Sequence, residues 1–102
     1  SKKETRKESA LERQRIQPFK KLAENNEKKI ERLNTMLDQV ATELKNPNLY
    51  EESSPKNSEE VIRLKLKQTT LLENVKKAEG NWLKSLEAYE VEKKRSRNYN
   101  SR

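Results

Sequence analysis

The stretch that decides the fold is IQPFKKLAENNEKKIERLNTMLDQVATEL, residues 16–44. Apolar side chains recur in it with alternating spacings of three and four residues, the pattern that brings one face of a helix against a partner helix. Eight of the nine positions in this series are apolar, and the exception is Asn26. The series is Ile16, Phe19, Ala23, Asn26, Ile30, Leu33, Leu37, Val40 and Leu44.

A second series with the same spacing follows after residue 60, and seven of its nine positions are apolar or aromatic. It consists of Val61, Leu64, Gln68, Leu71, Val75, Ala78, Trp82, Ser85 and Tyr89. Two helices of similar length joined by a short loop predict an all-α fold, a two-helix antiparallel coiled-coil hairpin with a short Pro-containing turn. We expect a basic lead-in at 1–15, partly helical or disordered, and the hairpin at 16–94. Within it, one helix runs to 45, a loop spans 46–58 and the second helix spans 59–94; a basic disordered tail follows at 95–102.

The ends of the helices have chemical signals. Thr5 and Ser9 each precede a glutamate by three residues, so either could open the first helix as a capping box. Pro18 removes a backbone hydrogen bond and predicts a kink, or a restart of the helix with Pro18 in its first turn. The pair Asn46-Pro47 predicts the end of the first helix.

Two antiparallel registers fit the pattern. One opposes Leu37 to Leu71 and Asn26 to Trp82, whereas the other is shifted by seven residues and opposes Leu37 to Leu64. We favour the first because it gives the indole N–H of Trp82 a partner in Asn26. In either register Trp82 is expected to anchor the interface, and Asn26 to form a polar layer that sets the register.

Composition excludes several kinds of protein. The chain has 102 residues, 40% of them charged, with no cysteine or histidine. Thiolate and imidazole chemistry is therefore absent, and with it zinc fingers and disulfide frameworks. No segment has the roughly 20 apolar residues that cross a bilayer. We expect a soluble, cytoplasmic protein, and the start at Ser1 suggests a fragment of a longer chain.

Charge is distributed unevenly along the chain. Residues 1–21 carry a net charge of +5, residues 22–92 of −3 and residues 93–102 of +5. An antiparallel hairpin brings the two basic blocks to one pole, which favours a phosphate backbone as partner, without base-sequence specificity. A solvated, functionless pair of tails is the alternative. The candidate nucleic-acid-binding residues are Lys2, Lys3, Arg6, Lys7, Arg13, Arg15, Lys20, Lys21, Lys93, Lys94, Arg95, Arg97 and Arg102.

Several local motifs resemble the C-terminal coiled-coil domain of ABC-F ATPases, with the YheS and Uup branches the most similar. They are the step Gln17-Pro18-Phe19, the turn from Pro47 to Tyr50, and Trp82-Leu83 with Glu87 downstream. The resemblance spans nearly the whole chain, although Asn46 stands where the family more often has aspartate.

The resemblance implies a parent protein with two ATP-binding cassettes that uses ATP and magnesium and acts on the ribosome. The fragment itself has no cassette motif, so we expect it to be non-catalytic, to hold no cofactor, and to tether the ATPase to ribosomal RNA or DNA. As an isolated domain it is expected to be a monomer. The alternative is a protein-interaction or dimerisation arm, favoured by an apolar stripe outside the heptad positions: Leu22, Met36, Leu66, Leu72 and Leu86.

Overall fold

A computed structural model describes residues 1–51 and 55–100, without the side chains of residues 55, 56 and 98–100. Helix α1 spans Lys2–Leu44, a short 3₁₀ helix spans Pro47–Leu49, and helix α2 spans Pro55–Asn100. The two long helices pack against each other antiparallel, and no strand occurs in the described residues. The predicted all-α, two-helix fold is confirmed.

Helix α1 begins earlier than expected. The Glu4 backbone N–H donates to Ser1 Oγ at 3.3 Å, and the Ser1 nitrogen lies 3.5 Å from Glu4 Oε2, which is the reciprocal bonding of a capping box. The prediction that Thr5 or Ser9 opens the helix is therefore wrong, and residues 2–15 belong to α1. The helix also continues through Pro18, so the predicted restart at that residue is wrong too.

The turn ends α1 as predicted at Asn46-Pro47. The Asn48 N–H donates to Asn46 Oδ1 at 3.0 Å, and Pro47, which lacks an N–H, occupies the start of the 3₁₀ helix. The Tyr50 hydroxyl donates to the Leu44 carbonyl at 2.7 Å and so satisfies a carbonyl in the last turn of α1.

Helix α2 is longer than predicted at both ends. It begins at Pro55, because the fixed φ of proline suits the first position of a helix, whereas the prediction began at residue 59. It continues to Asn100, so residues 95–100 are helical and the prediction of a disordered tail is wrong for them. The predicted tail residues 101–102 lie outside the described residues.

The chain divides into two compact units. One of them, Lys29–Ala78, has an apolar core. Val40, Leu64 and Leu71 are buried there. Leu33, Leu37, Leu44 and Leu49 are partly buried and pack against them. These are the residues that the heptad pattern predicts, with Leu49 added from the turn.

The other unit, Ser1–Lys28 with Glu79–Arg102, has a more polar interface. Its buried residues are Ala23, Ser85 and Ser96. Asn26 Nδ2 donates to Ser85 Oγ at 3.2 Å, and Ser85 Oγ donates to the Trp82 carbonyl at 2.7 Å. Asn26 is thus a polar layer as expected, but the predicted bond to the Trp82 indole is wrong, and Trp82 is only half-buried.

The bond between Asn26 and Ser85 also decides between the two registers. The favoured register places Ser85 one turn from the residue opposite Asn26. The alternative places Val75 opposite Asn26, ten residues or about 15 Å from Ser85 along the helix. A hydrogen bond cannot span that distance, so the structure favours the first register.

Candidate nucleic-acid interface

The predicted binding residues lie together in the unit of Ser1–Lys28 and Glu79–Arg102. Eight of them are on α1 and four on α2, while Arg102 lies outside the described residues. All twelve described side chains are exposed except that of Lys93, which is half-buried. From the sequence, this unit has a net charge of +6 and the other unit a net charge of +1.

Two of the predicted residues, Arg15 and Arg95, hold the helix interface. Arg15 Nη2 donates to Ser96 Oγ at 2.9 Å, and Arg15 Nε lies 3.7 Å from Glu92 Oε1. Arg95 Nη1 lies 3.8 Å from the other oxygen, Glu92 Oε2. The Glu92 side chain is only 13% exposed, and a carboxylate so enclosed needs a charged partner. Two arginines from opposite helices provide it.

Sequence reasoning missed this cluster of Arg15, Glu92, Arg95 and Ser96. Its signal was present, because Glu92 and Ser96 continue the second series past Tyr89 with the same spacing of three and four. Stopping the series at Tyr89 assigned the basic run to a tail. The structure places this polar continuation within the packed interface.

Lys93 is also engaged within its own helix. Its Nζ lies 3.4 Å from Glu90 Oε1 and 4.8 Å from the centre of the Tyr89 ring, a distance at which a cation and an aromatic face attract. Both contacts lower the tendency of Lys93 to pair with an external anion.

A different group of cations forms a stripe along α1, which we call the basic stripe: Arg6, Arg13 and Lys20. They recur every seven residues on one flank of the seam, about 10 Å apart along the helix. Within the described residues none of the three forms a salt bridge, and Arg13 Nε donates only to the Ser9 carbonyl, at 3.3 Å. The stripe ends at Glu27, the next residue in the repeat.

The flanking position of α2 adds no acid opposite the stripe. In the favoured register this position of α2 is occupied by Lys93, next to Arg13, and by the half-buried Leu86, next to Lys20. On the other flank, by contrast, the Glu92 carboxylate compensates Arg15 and Arg95. This unit therefore has one flank where Arg15 and Arg95 are paired with Glu92, and one where the three cations of the basic stripe have no acidic partner among the described residues.

Shifted pKa values occur in the other unit. Hydrogen bonds from the Arg63 guanidinium to the Glu60 carboxylate lower the pKa of Glu60 below its ordinary value, and the same pairing raises the pKa of Arg63. Arg63 Nε donates to Glu60 Oε2 at 3.0 Å, one helical turn away. The carboxylate of Glu43 on α1 contributes a weaker attraction to Arg63. The two side chains form an exposed ion pair within α2, and we assign no binding role to it.

Comparison with protein-family models, with curated proteins and with solved structures finds no match for this chain. Across the part of the chain that the structure describes, no helix has the length and apolarity to span a membrane. Within the same residues no group of three or more acidic side chains is arranged to hold a metal ion.

Proposed function

We propose that this chain is a non-catalytic coiled-coil domain that contacts nucleic acid through the basic stripe of Arg6, Arg13 and Lys20. The observation that carries the proposal is the absence, among the described residues, of any acidic partner for these three exposed cations. The resemblance noted in the sequence supports a wider role: the chain would be the C-terminal domain of a cytoplasmic ABC-F ATPase and would tether it to ribosomal RNA or DNA.

Electrostatics favours the stripe over the three basic residues of the same unit that already have a carboxylate partner. A cation already paired with a carboxylate gains less from a phosphate, because the existing pair must be broken first. Arg15, Arg95 and Lys93 have such partners, whereas the stripe does not. Lys3, Lys7, Lys21, Lys94 and Arg97 are exposed on neighbouring faces and would add to the field.

The expected binding is to the backbone and does not depend on base sequence. The stripe consists of long, flexible cations on one exposed helix face, which neutralise phosphates and release condensed counterions. Affinity should therefore fall steeply as salt rises, and it should differ little between base sequences.

The test is a fluorescence-anisotropy titration of the chain with a labelled RNA hairpin and a labelled DNA duplex over a series of salt concentrations. The variant R6Q/R13Q/K20Q should weaken binding to both probes and reduce the slope of log affinity against log salt by about two to three. The matched control is R32Q/K67Q/K77Q, which removes three exposed cations from the other unit and leaves the same net charge. Equal losses in the two variants would show that only total charge matters, and would contradict the proposal.

A protein-interaction arm is the second candidate, and exposed apolar residues favour it. Ile62 and Leu66 are largely exposed and lie one helical turn apart on α2. Light scattering over a range of protein concentrations tests this candidate. A mass that rises with concentration in the wild type, and not in I62S/L66S, would support it over the monomer that the first candidate expects.

A further inference from the structure

The aromatic residues between the helices in the unit of Ser1–Lys28 and Glu79–Arg102 fit two registers. Phe19 opposes Tyr89 in the favoured register and Trp82 in the shifted register, in which α2 is displaced by seven residues. All three side chains are half-buried. A heptad pattern repeats every seven residues, so either register sets an aromatic ring of α2 against Phe19. Apolar packing alone therefore distinguishes poorly between the two registers.

Polar contacts make the distinction. Asn26 Nδ2 donates to Ser85 Oγ at 3.2 Å, and Arg15 Nη2 donates to Ser96 Oγ at 2.9 Å. Arg15 Nε also lies 3.7 Å from Glu92 Oε1. A displacement of seven residues moves each partner by about 10 Å along the helix, so the shifted register breaks all three contacts. We call these five residues the polar lock, because they hold the hairpin in the favoured register.

The register also determines what lies beside the basic stripe. In the favoured register Lys93 lies next to Arg13, and Leu86 lies next to Lys20. In the shifted register Leu86 lies next to Arg13, and Glu79 lies next to Lys20. The Glu79 side chain is exposed, and opposite charges on facing flanks of a coiled coil attract. The shifted register therefore gives Lys20 an acidic partner.

Glu79 also destabilises the favoured register. There it lies next to Glu27, the acidic residue at which the basic stripe ends. Both side chains are exposed, and like charges that face each other repel. A shift of seven residues removes this repulsion and replaces it with the attraction between Glu79 and Lys20. The charges on this flank thus favour the shifted register, while the polar lock favours the other.

We propose that the hairpin is a switch between two registers, and that the polar lock holds it in the one whose basic stripe binds phosphate. The residues of the lock act as positioning residues for Lys20. Phosphate on the stripe in turn stabilises the favoured register, because a ligand that binds one of two states raises the population of that state. This inference rests on the proposed function and adds to it a means of control.

The register can be measured by disulfide formation, since the chain has no cysteine of its own. The pair F19C/Y89C should form a disulfide in the favoured register, and F19C/W82C in the shifted register, because a disulfide needs Cα atoms about 4.4–6.8 Å apart. Both reporters carry the same net charge. Without further changes F19C/Y89C should cross-link in high yield and F19C/W82C in low yield.

The lock is removed without a change of charge in N26A/S85A/S96A, and alanine keeps both helices favourable. In this variant the yield of the F19C/W82C disulfide should rise at least about five-fold, the effect of losing one hydrogen bond. An excess of an RNA hairpin, added before oxidation, should reverse the rise. Each reporter is compared with itself, so the packing lost at the two cysteines is the same in every comparison.

The matched control is S9A/N25A/S58A, which replaces one asparagine and two serines at exposed positions and leaves the polar lock intact. It should give the same disulfide yields as the reporters alone. Circular dichroism should show equal helical content in the control and in the lock variant.

The link to binding is tested on the two cross-linked forms, each held in one register. Cross-linked F19C/W82C should bind the RNA hairpin about three- to five-fold more weakly than cross-linked F19C/Y89C, the loss expected for one cation. E79Q should remove most of this difference, because it deletes the carboxylate that pairs with Lys20.

The inference is overturned if the lock variant fails to raise the F19C/W82C yield, or if the control raises it equally. It is also overturned if the two cross-linked forms bind RNA with the same affinity. In these cases RNA binding is intact and the proposed function stands. If the disulfides form as expected but neither the cross-linked forms nor the wild type binds RNA, the proposed function fails, and the link between register and binding fails with it.

Discussion

Arg15 on α1 donates a hydrogen bond at 2.9 Å to the hydroxyl of Ser96 on α2, a residue that is only 1% exposed. The pair joins the two blocks of sequence with the highest density of basic residues. It shows that part of this basic charge stabilises the helix interface. The basic stripe of Arg6, Arg13 and Lys20 lies on the other flank and forms no salt bridge within the described residues.

Replacing Ser96 should destabilise the fold. S96A removes the acceptor for Arg15 at a buried position, and we expect the free energy of unfolding to fall by about 1 kcal/mol, measured by urea denaturation. S9A is the control, because the Ser9 side chain is exposed and forms no hydrogen bond with any other described residue. S9A should be neutral or slightly stabilising, since alanine favours helix. Equal changes in the two variants would contradict a role for the Arg15 to Ser96 bond.

R15Q and R13Q should separate stability from binding. R15Q leaves the enclosed Glu92 carboxylate with Arg95 alone, so its melting temperature should fall. R13Q removes an exposed cation of the basic stripe, so its melting temperature should stay unchanged while its affinity for RNA falls about three- to five-fold. Circular dichroism and anisotropy measure the two effects. The division of roles fails if R13Q destabilises the fold as much as R15Q.

Leu64 should carry much of the stability of the apolar unit. It is 1% exposed, and L64A should lower the free energy of unfolding by about 2–5 kcal/mol, because it deletes packed methyl groups and leaves a cavity. L66A is the control on the same helix, at a residue that is 65% exposed. It should change the free energy of unfolding by less than about 0.5 kcal/mol. A loss in L66A close to that in L64A would mean that Leu66 is buried in solution.

The pair of Glu60 and Arg63 predicts a small dependence of stability on pH. The pKa of Glu60 is lower in the folded chain than its ordinary value of 4.5. Its contribution to stability is therefore present above the unfolded pKa and is lost as the pH falls through the folded pKa. Thermal melts at pH 7 and at a series of lower pH values should show E60Q less stable than the wild type at pH 7, with the difference shrinking as the Glu60 carboxylate becomes protonated. E59Q, which changes the exposed neighbouring carboxylate, should show a smaller effect.

Most of the fold could be predicted from the spacing of apolar residues. Val40, Leu64 and Leu71 fall in the two heptad series, and burying such a stripe requires a partner helix whatever the surrounding residues are. The turn could also be predicted from the sequence, because Asn46-Pro47 combines a side-chain acceptor with a residue that has no N–H. The helix ends were misjudged where the sequence is polar: a Ser1 to Glu4 capping box opens α1 ahead of Thr5, and Glu92 and Ser96 extend the interface of α2 past Tyr89.

The sequence by itself determined that this chain forms two paired helices and that its basic residues concentrate near residues 1–21 and 93–102. Only the tertiary structure decided which of those charges have a partner. Glu92 is far from Arg15 in sequence, although the two side chains are in contact. A heptad pattern predicts which apolar residues pack together, but it does not predict which cations reach a carboxylate on the other helix. Charge pairing depends on distances of a few ångströms between side chains of different helices, and these are set by the register and the length of the packed interface.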